Sequence, residues 1–186
     1  MSRSELEAFW AGAAPSSRER FTSVRLIGSG AYSVVAKATD AKTGDTVAIK
    51  RIAEVFYDAQ EAKKVLREIR LLRDFRHPNV IALRALVEPS SMETFDDIFM
   101  ITDFMESDLR RIIKSKQTLS AERVRSYMAQ LFAGLQHVHA ISGIHRGCSQ
   151  PSSQWYTLLH TVMPASLRTS KGALACGELK CTDTDR

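Results

Sequence analysis

The stretch FTSVRLIGSGAYSVVAKATDAKTGDTVAIKRI, residues 21–52, restricts the fold more than any other part of the chain. It contains the β-rich runs FTSVRLIGSG, YSVVAKATD and TVAIKRI, divided by a glycine turn at Gly28–Gly30 and by AKTGD. Short runs of this kind between turn signals predict successive strands. A helix is predicted next: Asp58 can cap it, Glu61 stands three residues on, and Ala62, Val65, Leu66, Ile69 and Leu72 share one face. NVIALRALVE and DIFMITDF read as two more strands. The fold class expected over residues 21–105 is α+β, five strands and one helix.

The flanks read differently. Residues 1–20 are polar and Ala/Ser-rich, and read as a flexible extension. Residues 106–146 predict a short helix near DLRRIIKS and a long one after Ser120. On the long helix Val124, Tyr127, Met128, Leu131, Leu135 and Val138 form a broad apolar stripe, read as core packing. Residues 147–186 are Ser/Thr-rich without periodicity and read as a disordered tail. They hold all three cysteines, Cys148, Cys176 and Cys181, whose spacing fits neither a zinc site nor a closed disulfide set. The net charge of +5 is spread among acidic residues, which predicts a solvated surface and no nucleic-acid face. No apolar run reaches the ~18–20 residues of a membrane span, and the N-terminus lacks a secretory apolar core, so an intracellular chain without a membrane partner is expected.

Glycines in GSGAYSVV would let backbone N–H groups approach a phosphate, although a plain hairpin turn explains two glycines equally well. Lys50 ends the run VAIK; a lysine there is commonly just a solvated strand end. Glu68 falls between Val65 and Leu72, where a carboxylate is costly to desolvate unless paired. Lys50 is its natural partner, and a surface charge within KKVLREIR is the competing reading.

The order of these elements carries more than any one of them. A glycine loop, VAIK, a helix glutamate, HPNV, and HR after a long amphipathic helix together resemble the N-terminal half of a eukaryotic protein kinase, from about Phe21 to Arg146. IGSGAYSVV, VAIKRI, LREIRLLRDFRHPNVI, MITDFMESDLRRII and GLQHVHAISGIHR resemble segments of the mitogen-activated protein kinases, which are serine/threonine kinases. The resemblance implies that the five strands form one antiparallel sheet, which with the helix makes up an ATP-binding small lobe, and that residues 106–146 begin a large lobe. It implies an ATP-covering loop of Ile27, Gly28, Ser29, Gly30, Ala31, Tyr32, Ser33, Val34 and Val35, with Ser33 where the pattern has its third glycine. Val35 and Ala48 would roof the adenine, and Thr102 would be the gatekeeper. Asp103 to Met105 would form the hinge, with Asp108 near the ribose. Lys50 would hold the α- and β-phosphates and Glu68 would orient it. The implied reaction is phosphorylation of protein serine and threonine with ATP and magnesium. Kinase-pathway proteins are the implied partners, and the cytoplasm or nucleus the implied location.

The family pattern continues H-R-D-L-K-P-x-N, but Gly147 stands where the catalytic aspartate belongs. No asparagine follows Asn79, and D-F-G, T-x-Y and A-P-E are missing. The base and both magnesium ligands therefore have no occupant, and no residue is assigned to a metal. The expectation is a truncated chain with an incomplete large lobe, an uncovered apolar stripe after Ser120, weak ATP binding and negligible phosphoryl transfer. An alternative is a non-catalytic protein that competes for kinase partners. Another is a functionless product of intron retention, or of a frameshifted or chimeric gene model; retention would favour glycine, because an aspartate codon split after its first base and read into a G-T intron start becomes a glycine codon.

Overall fold

A computed structural model describes residues 2–30, 32–107, 109–115 and 117–142. Helices α1 (Arg3–Phe9) and α2 (Pro15–Arg20) precede strands β1 (Phe21–Ser29), β2 (Ser33–Asp40) and β3 (Thr46–Ile52). Then come α3 (Ala59–Asp74), β4 (Leu83–Leu86), β5 (Ile98–Asp103), α4 (Leu109–Lys114) and α5 (Ala121–Ser142). The strands form one five-stranded sheet in the order β1-β2-β3-β5-β4, with every neighbouring pair antiparallel. This is the expected α+β class, matching a protein-kinase small lobe and the beginning of a large lobe.

Local chemistry sets the turns. Between β2 and β3, Asp40 accepts the backbone N–H groups of Thr43 and Gly44 on its carbonyl, and that of Lys42 on its carboxylate. Gly44 closes this turn at φ +75°, where a Cβ would be strained. Asp58 caps α3 by accepting from the N–H of Gln60. Ser120 does the same for α5 through the N–H of Arg123.

The sheet separates two cores. On its outer face Ala36, Ala38, Val47, Ile49, Phe99 and Ile101 are buried together with Phe9, Trp10, Ala13 and Phe21. On its inner face Ile52 and Met100 meet Val65 and Leu72 of α3, then Phe75, Val80 and Val138.

Four expectations are corrected here. Residues 1–20 are no loose extension: α1 and α2 strap the outer face of the sheet, with Phe9 and Trp10 each only 3% exposed. A Ser2–Glu5 capping box starts α1. Hydrogen bonds from Ala14 to Glu88 and from Ser90 to Gly12 tie the strap to the segment following β4. On α3, Leu66 is 47% exposed, because the buried stripe runs through Ala62, Val65, Ile69 and Leu72 and leaves Leu66 on its flank. The fourth strand starts at Leu83 and not at Asn79, because His77 to Val80 form a turn: Val80 donates to the His77 carbonyl and Asn79 to His77 Nδ1. The apolar stripe of α5 is split. Val138 is buried and Leu131 and Leu135 pack against the inner core, while Val124, Met128 and Phe132 are exposed. The loop between α3 and β4 holds α5 in place: Arg76 N–H donates to His137 Nε2 at 3.2 Å, and the His77 and His137 rings stack at 5.0 Å. The expectations for Ala31, Asp108 and the tail from Gly147 onward lie outside the described residues.

Candidate functional site

Side chains alternate across a strand, so register decides which residues share the inner face. Val35 pairs with Lys50 and Lys50 with Met100; Lys37 pairs with Ala48 and Ala48 with Thr102; Ser33 pairs with Ile52. Ser33, Val35, Ala48, Lys50 and Thr102 therefore lie on one side of the sheet, opposite the strap. In this row the small Ala48 lies between Lys37 and Thr102.

Lys50 projects from the wall toward α3, where its Nζ donates to Glu68 Oε1 at 2.9 Å. Both side chains are half-buried, at 32% and 23% exposure, so the lysine keeps an open side. Glu68 is held there by its place on α3 between Val65 and Leu72, both buried in the inner core. This pairing across the gap from β3 to α3 decides against a solvated surface charge for Glu68.

The turn between β1 and β2 lies at one end of the wall. Gly28 lies opposite Val35, Ser29 opposite Val34, and Gly30 N–H donates to the Ser33 carbonyl at 2.7 Å. Neither Gly28 nor Gly30 has a positive φ, so turn geometry does not demand glycine at either position. A Cβ on Gly28 would meet no atom within 4 Å, so the backbone there faces open space. Ile27 and Tyr32 are exposed, at 48% and 78%. Val34 is a correction: its side chain packs into the outer core, so only its backbone is presented to the loop.

At the other end of the wall, Thr102 is half-buried on the inner face, and Met105 beyond the strand is half-buried too. Asp103 turns its carboxylate the other way, accepting from Arg84 Nε at 2.6 Å, while Arg84 also reaches Asp45 at 2.9 Å. Partial burial lowers the pKa of Arg84, but hydrogen bonds and charge from Asp45 and Asp103 outweigh it and hold the guanidinium above its ordinary value. Arg84 in turn lowers the carboxyl of Asp45. Asp103 thus offers only its backbone to a ligand.

Two neighbours of the site were not singled out from sequence. Lys37 joins the Ala48 row and sets its ammonium 4.5 Å from the centroid of the Phe104 ring. Arg51, beside Lys50 but facing outward, binds Asp97, which also accepts the N–H of Glu54. The period-2 rule could have placed Lys37 beside Val35, whereas nothing local ties Arg51 to a residue 46 positions away. Among the described residues no group of three or more His, Cys, Asp or Glu side chains could hold a metal ion. No helix among them is long and apolar enough to cross a membrane.

The sequence pattern of the protein kinase domain matches residues 21–147. Extracellular signal-regulated kinase 1 of Dictyostelium discoideum is 41% identical over 127 residues, covering 68% of this chain and 24% of that protein. Mitogen-activated protein kinase 4 of Arabidopsis thaliana is 41% identical over 130 residues, covering 70% of this chain and 35% of its own length. Mitogen-activated protein kinase 8 of the same plant is 42% identical over 127 residues, with 68% and 22% covered. The chain spans about a quarter to a third of the length of these curated relatives. With the sheet order, the Lys50–Glu68 pair and this match over most of its length, the chain belongs to the protein kinase domain family and is similar, within it, to the mitogen-activated protein kinases.

Proposed function

We propose that this chain binds ATP through a mitogen-activated-kinase-like small lobe and does not transfer its γ-phosphoryl group. The observation that carries the first half is the Lys50–Glu68 pair at 2.9 Å, set on a wall of Val35, Ala48 and Thr102. A lysine held in this way by a carboxylate presents a fixed positive charge to α- and β-phosphates. The open space over Gly28 fits a phosphate chain lying close to the backbone. Adenine would rest between Val35 and Ala48, hydrogen-bonded to the backbone from Asp103 to Met105, with Thr102 behind it. Bound ATP supplies the activated phosphoryl group; the chain's own residues bind and orient it.

The second half rests on sequence. Phosphoryl transfer depends on a base that orients the attacking hydroxyl and on metal ions that neutralise charge. Gly147 has no side chain to act as base, and residues 148–186 contain no asparagine and no D-F-G. The residues present therefore fit ATP but not its magnesium ions.

Titration of the 186-residue chain with ATP in a calorimeter, beside an ATP-turnover and protein-phosphorylation assay, tests both halves. The expected result is measurable binding that Lys50→Ala abolishes, with no turnover. Absence of binding overturns the first half; turnover that disappears in Lys50→Ala overturns the second.

A second reading, a non-catalytic protein that competes for kinase-pathway partners, draws on the outer face of α5. Val124, Met128 and Phe132 there are 42%, 39% and 61% exposed, a patch suited to protein contact. Specific capture of kinase-pathway proteins that is lost on Phe132→Asp would favour it.

A further inference from the structure

We propose that this site takes its nucleotide as the metal-free polyphosphate anion, and that the Ser33 hydroxyl supplies a phosphate contact that glycine could not make. The proposal rests on the ATP-binding reading above and refines it.

Ser33 occupies the position where the G-x-G-x-x-G-x-V pattern has its third glycine. The side chain it adds lies on the inner face: Ser33 is two residues from Val35, and Val35 is opposite Lys50. Ser33 and Lys50 are thus diagonal neighbours, with Cα atoms on the order of 7–8 Å apart. A phosphate group between them can accept from both the hydroxyl and the ammonium. The hydroxyl sits beside the glycine loop, with Ser33 Oγ 3.4 Å from where a Cβ on Gly30 would be. Ser33 is half-buried, and among the described residues its hydroxyl has no hydrogen-bond partner. A half-buried hydroxyl without a partner gains the most from an ionised acceptor.

Charge on the wall favours the same anion. On the described wall Lys37 and Lys50 face inward and Glu68 pairs with Lys50, which leaves the charge of Lys37 unmatched by that carboxylate. Among the described residues no group of three or more His, Cys, Asp or Glu side chains could hold a metal ion, and residues 80–186 contain no asparagine. Magnesium bound to ATP would lower the negative charge offered to Lys50, and the asparagine and D-F-G aspartate that would repay it are absent from residues 147–186. Free ATP should therefore bind at least as tightly as magnesium-bound ATP, which reverses the order set by a metal-holding site.

The test is calorimetric titration of the full chain with ATP, once in EDTA and once in excess magnesium, for wild type, Ser33→Gly, Ser33→Ala and Ser33→Thr. Circular dichroism melts check that each variant folds. The expected result is equal or tighter binding in EDTA. There Ser33→Gly and Ser33→Ala each lose about ten-fold in affinity, and Ser33→Thr recovers most of it. Tighter binding in magnesium overturns the metal-free site, and a Ser33→Gly variant that binds like wild type in EDTA overturns the serine contact. Either failure leaves wild-type binding intact. Loss of wild-type binding under both conditions instead overturns the ATP-binding reading, and this proposal with it.

Discussion

Replacing Trp10 with alanine tests whether the N-terminal strap is part of the lobe. Trp10 is 3% exposed and lies outside the span matched by the kinase family pattern. Its indole stacks against Phe21 at 6.1 Å and Phe99 at 5.7 Å, and Phe9 meets it edge-on at 5.1 Å. Truncating a buried tryptophan costs about 3–5 kcal/mol, from lost transfer energy plus the cavity left behind. The site belongs near the upper end, because the neighbouring rings are fixed by strands on one side and a helix on the other. Against a total stability of roughly 5–15 kcal/mol, that is a third of the total or more, and the melting temperature should fall by on the order of 10 °C. Urea unfolding of the full chain, followed by far-UV circular dichroism, measures the loss without relying on fluorescence, since Trp10 is one of two tryptophans. Arg3→Ala is the control: that side chain is 93% exposed in its pair with Glu7 and should cost less than about 0.5 kcal/mol. If Trp10→Ala unfolds at the same urea concentration as Arg3→Ala, the strap is not packed on the sheet.

Three further outcomes follow from the same packing. Asp40 accepts from Arg20 at 2.6 and 3.0 Å, and this hydrogen bonding holds its carboxyl below the ordinary value of 3.8. The folded state binds that proton less readily than the unfolded chain, so the pair's contribution is complete above the ordinary value and fades as pH falls through the lowered one. Asp40→Ala should cost about 2 kcal/mol at neutral pH and flatten the acid limb of a stability–pH curve. Val138→Ala should cost about 2 kcal/mol in the same urea assay while Phe132→Ala costs almost nothing, because the first is 1% exposed and the second 61%. Asp97→Ala should destabilise by about 2 kcal/mol and speed amide exchange at Glu54 and Val55, since Asp97 ties Arg51 to the start of the β3–α3 loop.

Much of the sheet was legible because strand periodicity and turn chemistry are local. TVAIKRI gave β3 with its bounds, and AKTGD gave the turn that Gly44 closes. Facing could be read only once register was known. Val34 and Asp103 sit one residue from Val35 and Thr102, and one residue is enough to move a side chain to the other face. The strap was hidden by composition: Ser, Ala and Glu mask two aromatics whose value depends on a sheet that forms later in the chain. A local signal did exist in the S-x-x-E box of Ser2 and Glu5 ahead of Leu6, Phe9 and Trp10. In the candidate site, order along the chain suggested the Lys50–Glu68 pair. The Ser33–Lys50 diagonal needed the β2–β3 register, which sequence alone does not fix.

Strand β3 explains why strap and site belong to one piece of structure. Lys50 and Arg51 are adjacent, so the pleat sends them to opposite faces. Lys50 meets Glu68 on the inner side; Arg51 lies against the Phe99 ring on the outer side and donates to the Ala8 carbonyl at the end of α1. Arg51 also holds Asp97, whose second oxygen accepts the N–H of Glu54, a residue at φ +50°. A non-glycine residue in that conformation costs roughly 1–2 kcal/mol, and Asp97 offsets the cost by fixing the turn that leads to α3. The strap, Arg51, Asp97 and Glu54 thus form a continuous line of contacts that ends in the loop leading to the helix that carries Glu68. If the chain binds ATP as proposed, loosening the strap should weaken that binding as well as stability. A change confined to the outer face would thereby be felt at the lysine facing the other way.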